Sequence, residues 1–124
     1  MRVFKTRSFG QFVRKQRIAD ALLCEAIKRA ERGLVDADLG GHVIKQRIAR
    51  PGRGRSGGYR TLIVFRSRDR AVFLFGFAKS NRDNIGANEL NELRRSAAEI
   101  LSWTDAEMAV MLAGGKWSEI DCDG

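Results

Sequence analysis

The spacing of apolar residues changes twice along the chain. Residues 2–6 alternate weakly and predict a short first strand. From Phe9 to Ala30 the apolar positions recur every three or four residues, which predicts one long helix or two short ones, with Ser8 as the N-cap and Gly33 at the C-terminal end. The first third of the chain is therefore predicted to be mainly helical.

The period shifts to that of strands after residue 42. Three apolar segments, Val43–Ile48, Tyr59–Arg66 and Ala71–Ala78, are separated by turn-rich links and predict an antiparallel meander. The link at residues 67–70 is short enough for a hairpin. Residues 72–75 are apolar at every position, which is typical of an interior strand covered on both faces.

Helical spacing returns near the C-terminal end. Apolar residues from Leu90 to Leu101 predict an amphipathic helix, and Thr104 to Glu107 has the spacing of a capping box for a last short helix through Ala113. With 124 residues the chain can bury one core. We therefore predict an α+β fold: a short N-terminal strand and a three-strand meander form a small antiparallel sheet, packed by N-terminal helices and followed by a C-terminal helix.

Charge changes sign along the chain. The net charge is +8, yet residues 42–82 carry eleven Lys/Arg and one acidic residue, whereas residues 83–124 carry three Lys/Arg and nine acidic residues. A strongly basic segment favours a polyanionic partner, which charge alone leaves open among nucleic acid, an acidic protein and an anionic membrane. The tail from Gly114 to Gly124 is acidic, and this charge suggests the hypothesis that the tail shields the basic segment.

Hydropathy and cysteine usage suggest a cytoplasmic protein. No apolar run approaches the roughly 20 residues that span a bilayer, and residues 1–5 lack the apolar core of a signal peptide. Cys24 and Cys122 have no CxxC spacing and no neighbouring histidine. Because the cytosol keeps thiols reduced, we expect neither a disulfide nor a structural metal.

Five cations of the basic segment are predicted to lie together. Strand alternation places Lys45 and Arg47 on one face of the first meander strand. Three others lie at the start of the next strand or just after the third, and strands about 4.8 Å apart bring them to the same region: Arg60, Lys79 and Arg82. An ordinary solvated face mixes both signs of charge, so this cluster predicts a site that grips a phosphodiester.

A glycine-rich cationic loop is predicted between the first two meander strands. It runs from Arg50 through Arg53 and Arg55 to Tyr59, lacks the Lys-Ser/Thr ending of a Walker A motif and precedes a strand rather than a helix. We predict a flexible arm that tracks the nucleic-acid backbone, with Tyr59 or the arginine planes stacking on bases; a hairpin loop without a role is the alternative. His42 is the only histidine, so a catalytic histidine pair is excluded and no role is expected for it.

Three strings in this order resemble one protein family. GGHVIKQRIARPG at 40–52, SGGYRT at 56–61 and FAKSNRDNI at 77–85 are similar to the RelE branch of the RelE/ParE superfamily of bacterial toxins. The combination of Lys-x-Arg, Gly-Gly-Tyr-Arg and Lys-x-x-x-Asp-Asn-Ile is more specific than any one motif. The resemblance implies a toxin domain at residues 1–101, and we expect residues 102–124 to form a helical extension with an acidic tail.

The resemblance implies an mRNA interferase, an endoribonuclease that cuts mRNA in the ribosomal A site by attack of the RNA's own 2′-OH, without metal or cofactor. It assigns Lys45 and Arg47 to the family's basic pair, with Lys45 as general base, and Arg60 to the charge of the phosphorane. Clustered cations suit both roles, because they favour a neutral lysine and bind the developing charge. The implied partners are mRNA in the A site and a cognate antitoxin, expected to be a helix-turn-helix protein encoded by an adjacent gene; no membrane is expected.

One departure from the family pattern follows the last meander strand. Where RelE-like toxins place a tyrosine or histidine, this chain has Asn84, Ile85 and Gly86. This leaves Lys79 or Arg82 as general acid, or a slow or inactive enzyme. Two other functions stay open: a ParE-like gyrase inhibitor, against which the basic pair counts, and a non-catalytic module that binds RNA or an acidic partner, which the missing aromatic residue supports.

Overall fold

The computed structural model describes residues 1–50, 52, 54–78 and 85–122. Within them the chain forms four helices and six strands, in the following order: β1 (Arg2–Thr6), α1 (Arg7–Gln16), α2 (Asp20–Glu31), β2 (Ala37–Asp38), β3 (Val43–Arg50), β4 (Gly54–Arg66), β5 (Arg70–Ala78), α3 (Ala87–Ser102), α4 (Asp105–Ala113) and β6 (Trp117–Ile120). The predicted α+β fold class is confirmed.

All six strands belong to one sheet with the order β2-β3-β4-β5-β1-β6. The predicted meander is confirmed, because β3 pairs antiparallel with β4 and β4 with β5. The predicted first strand is also present, and it runs parallel to β5 on the far side of the meander. The two edge strands, β2 and β6, were not predicted; they are two and four residues long.

The N-terminal helical region consists of two short helices. They are separated by Arg17, which adopts a left-handed backbone conformation with φ of 57°. The prediction of Ser8 as the N-cap is wrong: the Thr6 hydroxyl accepts a hydrogen bond from the Phe9 amide at 3.2 Å, and Ser8 already lies inside α1. The strand and helix adjoin directly, so the cap comes from the last residue of β1.

Helices cover both faces of the sheet. On the α1–α2 face, Phe9 of α1 stacks on Phe73 of β5, with ring centroids 5.0 Å apart. On the α3–α4 face, Val72 packs with residues of the C-terminal helices such as Ile100 and Met108. Consecutive residues of β5 thus enter different cores, as predicted for an interior strand. The capping box of α4 is confirmed by reciprocal bonds at its start.

The predicted loop between the first two meander strands is much shorter than expected. Strand β4 begins at Gly54, and Arg50 pairs with Gly54 across a register shift that follows Ile48. The prediction of a long flexible arm is therefore wrong for the backbone of residues 54–58. Glycine tolerates the bulge and the strong twist that this pairing needs, so a glycine-rich segment that resembles a loop in composition forms part of a strand here.

The C-terminal segment returns to the sheet beside β1. Val3 pairs with Ile120, and the guanidinium of Arg2 contacts the carboxylate of Glu119 at 2.9 Å. Strand β6 lies four strand spacings, about 19 Å, from β3, so the described part of the tail does not shield the basic residues of β3. No described helix is long and apolar enough to cross a membrane.

The two cysteines form a disulfide, which corrects the expectation of free thiols. Cys24 in α2 and Cys122 after β6 are 98 residues apart in sequence, but their Cα atoms are 5.4 Å apart. The pairing of β6 with β1 brings the tail beside α2, which the separation in sequence did not indicate. The disulfide therefore joins the end of the described chain to the N-terminal helices.

Candidate nucleic-acid interface

Three predicted site residues meet on one face of the meander. Arg47 of β3 lies directly opposite Arg60 of β4, and Lys45 lies two residues before Arg47 on the same side of β3. Opposed residues on neighbouring antiparallel strands have Cβ atoms about 4.5–5.5 Å apart. The predicted five-cation site stays a prediction, but the strand register places these three residues on one face of the sheet, as strand alternation indicated. We call them the cation cluster.

The cation cluster places two like charges, Arg47 and Arg60, directly opposite each other on neighbouring strands. Like charges directly opposite on neighbouring strands are destabilising. Arg47 is exposed and Lys45 is half-buried, whereas Arg60 is only 7% exposed and its Nη1 donates to the Gly58 carbonyl at 3.2 Å. Local rules of sheet pairing are broken mainly where a function requires it.

Two charged side chains bind the backbone of Arg47 on the edge of β3 that faces away from β4. The Arg47 amide donates to Oδ2 of Asp36 at 2.7 Å, and Nη2 of Arg29 donates to the Arg47 carbonyl at 2.6 Å. Arg29 is almost fully buried and also contacts Glu25 at 2.9 Å and Asp36 at 3.4 Å. Sequence reasoning missed this network, although Arg29 occupies an apolar-face position one turn after Ala26.

Gln46 fixes β3 from the opposite face of the sheet. Its buried amide donates from Nε2 to the carbonyls of Ala26 at 2.9 Å and Leu34 at 3.1 Å, and its Oε1 accepts from the Asp36 amide at 2.8 Å. These three bonds tie the strand to α2 and to the segment after it. They anchor the residue between Lys45 and Arg47, and so position both cations.

Tyr59 does not fit its predicted role of stacking on RNA bases. Its ring is buried on the α1–α2 face, where it packs T-shaped against the Phe12 ring with the two centroids 5.5 Å apart. Its hydroxyl donates to Oε1 of Gln16 at 3.1 Å. Arg50 lies over the same ring, with its guanidinium carbon 5.4 Å from the centroid. Strand alternation places Tyr59 on the side of the sheet opposite to Arg60.

Two aromatic residues of β5 lie on the face of the cation cluster. Phe77 is opposite Arg60, and Phe75 is opposite Leu62, the partner of Lys45. Their ring centroids are 5.9 Å apart, and Phe75 is 37% exposed. A register shift in the β4–β5 pairing changes which residues of β5 share a face, and this shift had no signal in the sequence.

The remaining predicted site residues fall in segments that the structure does not describe. Lys79, Arg82 and Arg53 lie outside the described residues, as does the side chain of Arg55. Their predicted roles stay predictions. In the described part of the chain, no group of three or more His, Cys, Asp or Glu side chains is arranged to hold a metal ion.

The described face offers the chemistry of an anion site. Guanidinium groups present planar arrays of donors that match phosphate oxygens, and a lysine amine supplies a compact donor or, when neutral, a base. Exposed Arg47 and half-buried Lys45 are accessible to a ligand. Groups of these kinds are chemically able to bind a phosphate and to stabilise negative charge on it.

Comparison with known proteins identifies one family. No curated protein matches the chain. The family model described as RelE toxin of RelE / RelB toxin-antitoxin system matches residues 1–120, which confirms the resemblance carried by the three motifs. The predicted boundary between residues 101 and 102 stays a prediction. A toxin of this family has a cognate antitoxin as its partner. Because the match covers residues 1–120, the chain belongs to the RelE toxin family.

Proposed function

We propose that this toxin is a ribosome-dependent endoribonuclease that cleaves mRNA in the A site. The observation that carries the proposal is the direct opposition of Arg47 and Arg60 beside Lys45. Three neighbouring basic residues on one sheet face match the negative charge of a phosphodiester, and hydrogen bonds between charged groups of this kind are strong. The face thus supplies both a base and the charges that an attack on phosphorus needs.

In the proposed reaction the 2′ oxygen of one nucleotide attacks the adjacent phosphorus. Lys45 accepts the 2′ proton as general base, the bond from phosphorus to the 2′ oxygen forms and the bond to the 5′ oxygen breaks. The products are a 2′,3′-cyclic phosphate and a 5′-hydroxyl. Arg47 and Arg60 stabilise the additional charge on the phosphorane oxygens, and Lys79 or Arg82 donates the proton to the leaving oxygen.

Other basic residues would bind the RNA on either side of the cleaved bond. Arg53 and Arg55 are assigned to these backbone contacts. Arg50 is left out of them, because its guanidinium lies over the Tyr59 ring, on the side of the sheet opposite to Arg60. Phosphate contacts of this kind position a strand without reading its sequence. Tyr59 has no part in the proposal, because its ring is buried in the core.

The proposal places the toxin in the cytoplasm with translating ribosomes. Its antitoxin is expected to be a helix-turn-helix protein encoded by the adjacent gene. The proposal assigns no membrane contact and no metal or organic cofactor, since the RNA supplies its own nucleophile.

Primer extension on a translated mRNA, after induction of the toxin, tests the proposal. The wild-type protein is expected to give codon-phased cuts. Lys45→Ala is expected to lower the cleavage rate by about 10²–10⁴, the usual contribution of a general base, and Arg60→Lys by about 10²–10³ through loss of its planar array of donors. Arg68→Ala is the matched control, because Arg68 is an exposed cation in the β4–β5 turn.

The outcomes separate the three candidate functions. Cleavage by Lys45→Ala at the wild-type rate would show that the assignment of the base is wrong. Intact message together with altered DNA supercoiling would indicate a gyrase inhibitor. Intact message with unchanged supercoiling would leave a non-catalytic binding module. Circular dichroism of each variant excludes unfolding as the cause of a lost activity.

A further inference from the structure

A second cationic surface lies at the start of the chain. Residues 1–19 contain six Lys/Arg and no Asp or Glu. Four of the six belong to α1 or to its C-cap: Arg7, Arg14, Lys15 and Arg17. The proposed reaction uses none of them.

The cations of α1 share one exposed side of the helix. Arg14 and Lys15 follow Arg7 by seven and eight positions, which places both of them about two turns after Arg7 on the same side of the helix. All three are exposed, whereas Phe9 and Val13 of the same helix are buried. The rise of an α-helix puts Arg7 about 10 Å from Arg14 along the axis, long enough to contact more than one phosphate.

These cations have no carboxylate partners among the residues that the structure describes. The two preceding cations are paired: Lys5 contacts Asp20 at 3.7 Å, and Arg2 contacts Glu119 at 2.9 Å. In the described ranges, no ion pair involves the cations of α1. A positive residue at the first position of a helix also opposes the helix dipole, so Arg7 costs stability where it stands.

The α1 surface and the cation cluster lie on opposite faces of the sheet. Phe9 packs α1 onto Phe73 on the α1–α2 face, while Lys45 and Arg47 alternate with Gln46, which contacts that face from β3. The thickness of the sheet separates the two cationic surfaces. A short RNA strand bound for cleavage at Lys45 therefore cannot contact α1 at the same time.

The exposed side of α1 suits a nucleic-acid backbone better than a protein. Besides the cations it exposes Ser8 and Gln11, and its large apolar residues face the core. Protein interfaces have an apolar or aromatic centre. Contacts to phosphates come from Arg, Lys, Ser and Gln side chains of the kind that α1 presents.

We propose that α1 is a second RNA-binding surface, which grips the phosphate backbone of folded RNA while the opposite face holds the strand to be cleaved. This inference rests on the proposed function in taking RNA as the ligand. On a ribosome, folded RNA surrounds the mRNA, so the two surfaces bind different strands of one target. The α1 surface then supplies affinity for the ribosome, and the cation cluster supplies the chemistry.

The test compares two probes over a series of salt concentrations. The probes are purified bacterial ribosomes and a single-stranded RNA hexanucleotide, and the variant is Arg7→Gln/Arg14→Gln/Lys15→Gln. Each phosphate contact contributes about 0.7–0.9 to the slope of log affinity against log salt. The triple variant is therefore expected to lower the slope for ribosomes by about 2–3 and to leave hexanucleotide binding unchanged.

A matched control removes the same charge elsewhere. Lys28, Arg32 and Arg95 are exposed cations of α2, its C-cap and α3, and their triple change to glutamine is expected to keep the wild-type slope within about 1. Equal slopes for the two triple variants would overturn the inference. Equal weakening of hexanucleotide binding would also overturn it, because the two surfaces would then act as one.

Two further outcomes separate this inference from its alternatives. If the α1 variant loses affinity for the antitoxin but not for ribosomes, the surface binds protein and the inference is wrong. If the wild-type protein binds ribosomes through α1 but leaves translated message intact, the inference holds and the proposed cleavage fails. Cleavage that is normal in both triple variants at saturating toxin supports a role in affinity rather than chemistry.

Discussion

Gln46 is the buried polar residue whose removal is expected to have the clearest structural effect. Its side chain is fully buried and makes three hydrogen bonds, two to carbonyl oxygens and one from an amide. Gln46→Ala removes all three bonds and leaves space in the α1–α2 core. It changes no charge, so any effect on the opposite face acts through the position of β3.

The expected loss of stability follows from those bonds. The bond to the Ala26 carbonyl is fully buried, and breaking such a bond costs about 1–3 kcal/mol; the two part-buried bonds contribute about 0.5–1.5 kcal/mol each. Water replaces some of these contacts, so we expect a net loss of about 2–4 kcal/mol in the free energy of unfolding. Domains of this size lose roughly 4 °C of Tm per kcal/mol, which corresponds to about 8–16 °C.

Urea denaturation followed by tryptophan fluorescence measures this loss, because Trp117 is buried and lies 5.4 Å from Trp103. Gln11→Ala is the control: Gln11 is exposed on α1, and its replacement is expected to change stability by less than about 0.5 kcal/mol. A Gln46→Ala variant within 1 kcal/mol of the wild type would refute the assigned hydrogen bonds. It would also remove the argument that Gln46 positions the cation cluster.

Three other predictions concern the sheet and its edges. Gly76→Ala is expected to lower the free energy of unfolding by about 1–3 kcal/mol, because the added Cβ would lie 2.6 Å from a ring carbon of Phe12 in α1. Gly10→Ala in α1 is the control and is expected to be neutral or stabilising by up to about 1 kcal/mol. Urea denaturation measures both variants. In a thermal melt, reduction of the disulfide is expected to lower the Tm of the wild type by the equivalent of about 3–5 kcal/mol. The same reductant is expected to leave the Tm of Cys122→Ala unchanged. The hydrogen bond from Arg2 lowers the pKa of Glu119 below its usual value of 4.5, so this pair stabilises the fold above that pH, and the stabilisation is lost as the pH falls through the lowered pKa. Glu119→Gln is therefore expected to reduce the loss of stability at acidic pH, and the same loss as in the wild type would contradict the pairing.

Local signals in the sequence predicted most of the fold. The change of period after residue 42 indicated the meander, the uniformly apolar run at 72–75 indicated an interior strand, and the spacing of Thr104 and Glu107 indicated the start of α4. Each of these signals depends on residues close together in the chain. The helix break was left open between one helix and two, because the left-handed residue at position 17 is an arginine rather than a glycine.

Contacts between distant segments could not be predicted in the same way. The parallel pairing of β1 with β5 and the edge position of β6 depend on how separate segments meet, and a four-residue strand has little pattern of its own. The disulfide followed from that pairing. The thiols were expected to be free because the separation of Cys24 and Cys122 in sequence carries no information about their distance in space.

The candidate site was predictable where alternation held and was missed where it did not. Lys45, Arg47 and Arg60 lie in regular strand pairing, so their common face could be deduced from the sequence. Phe75 was missed because a register shift altered the alternation. The charge of α1 was missed for a different reason: the acidic residues that follow it, from Asp20 onward, reduced the net charge of the first third of the chain.

The pairing of β1 with β6 affects when the sheet is completed during synthesis. Val3 and Ile120 are 117 positions apart, so β1 leaves the ribosome long before its outer partner has been made. At ordinary elongation rates this interval lasts about 6–23 s. Throughout it the outer edge of β1 has no strand beside it, and such edges pair readily with other chains. Completion of the sheet therefore depends on the synthesis of β6 rather than on the folding of the meander.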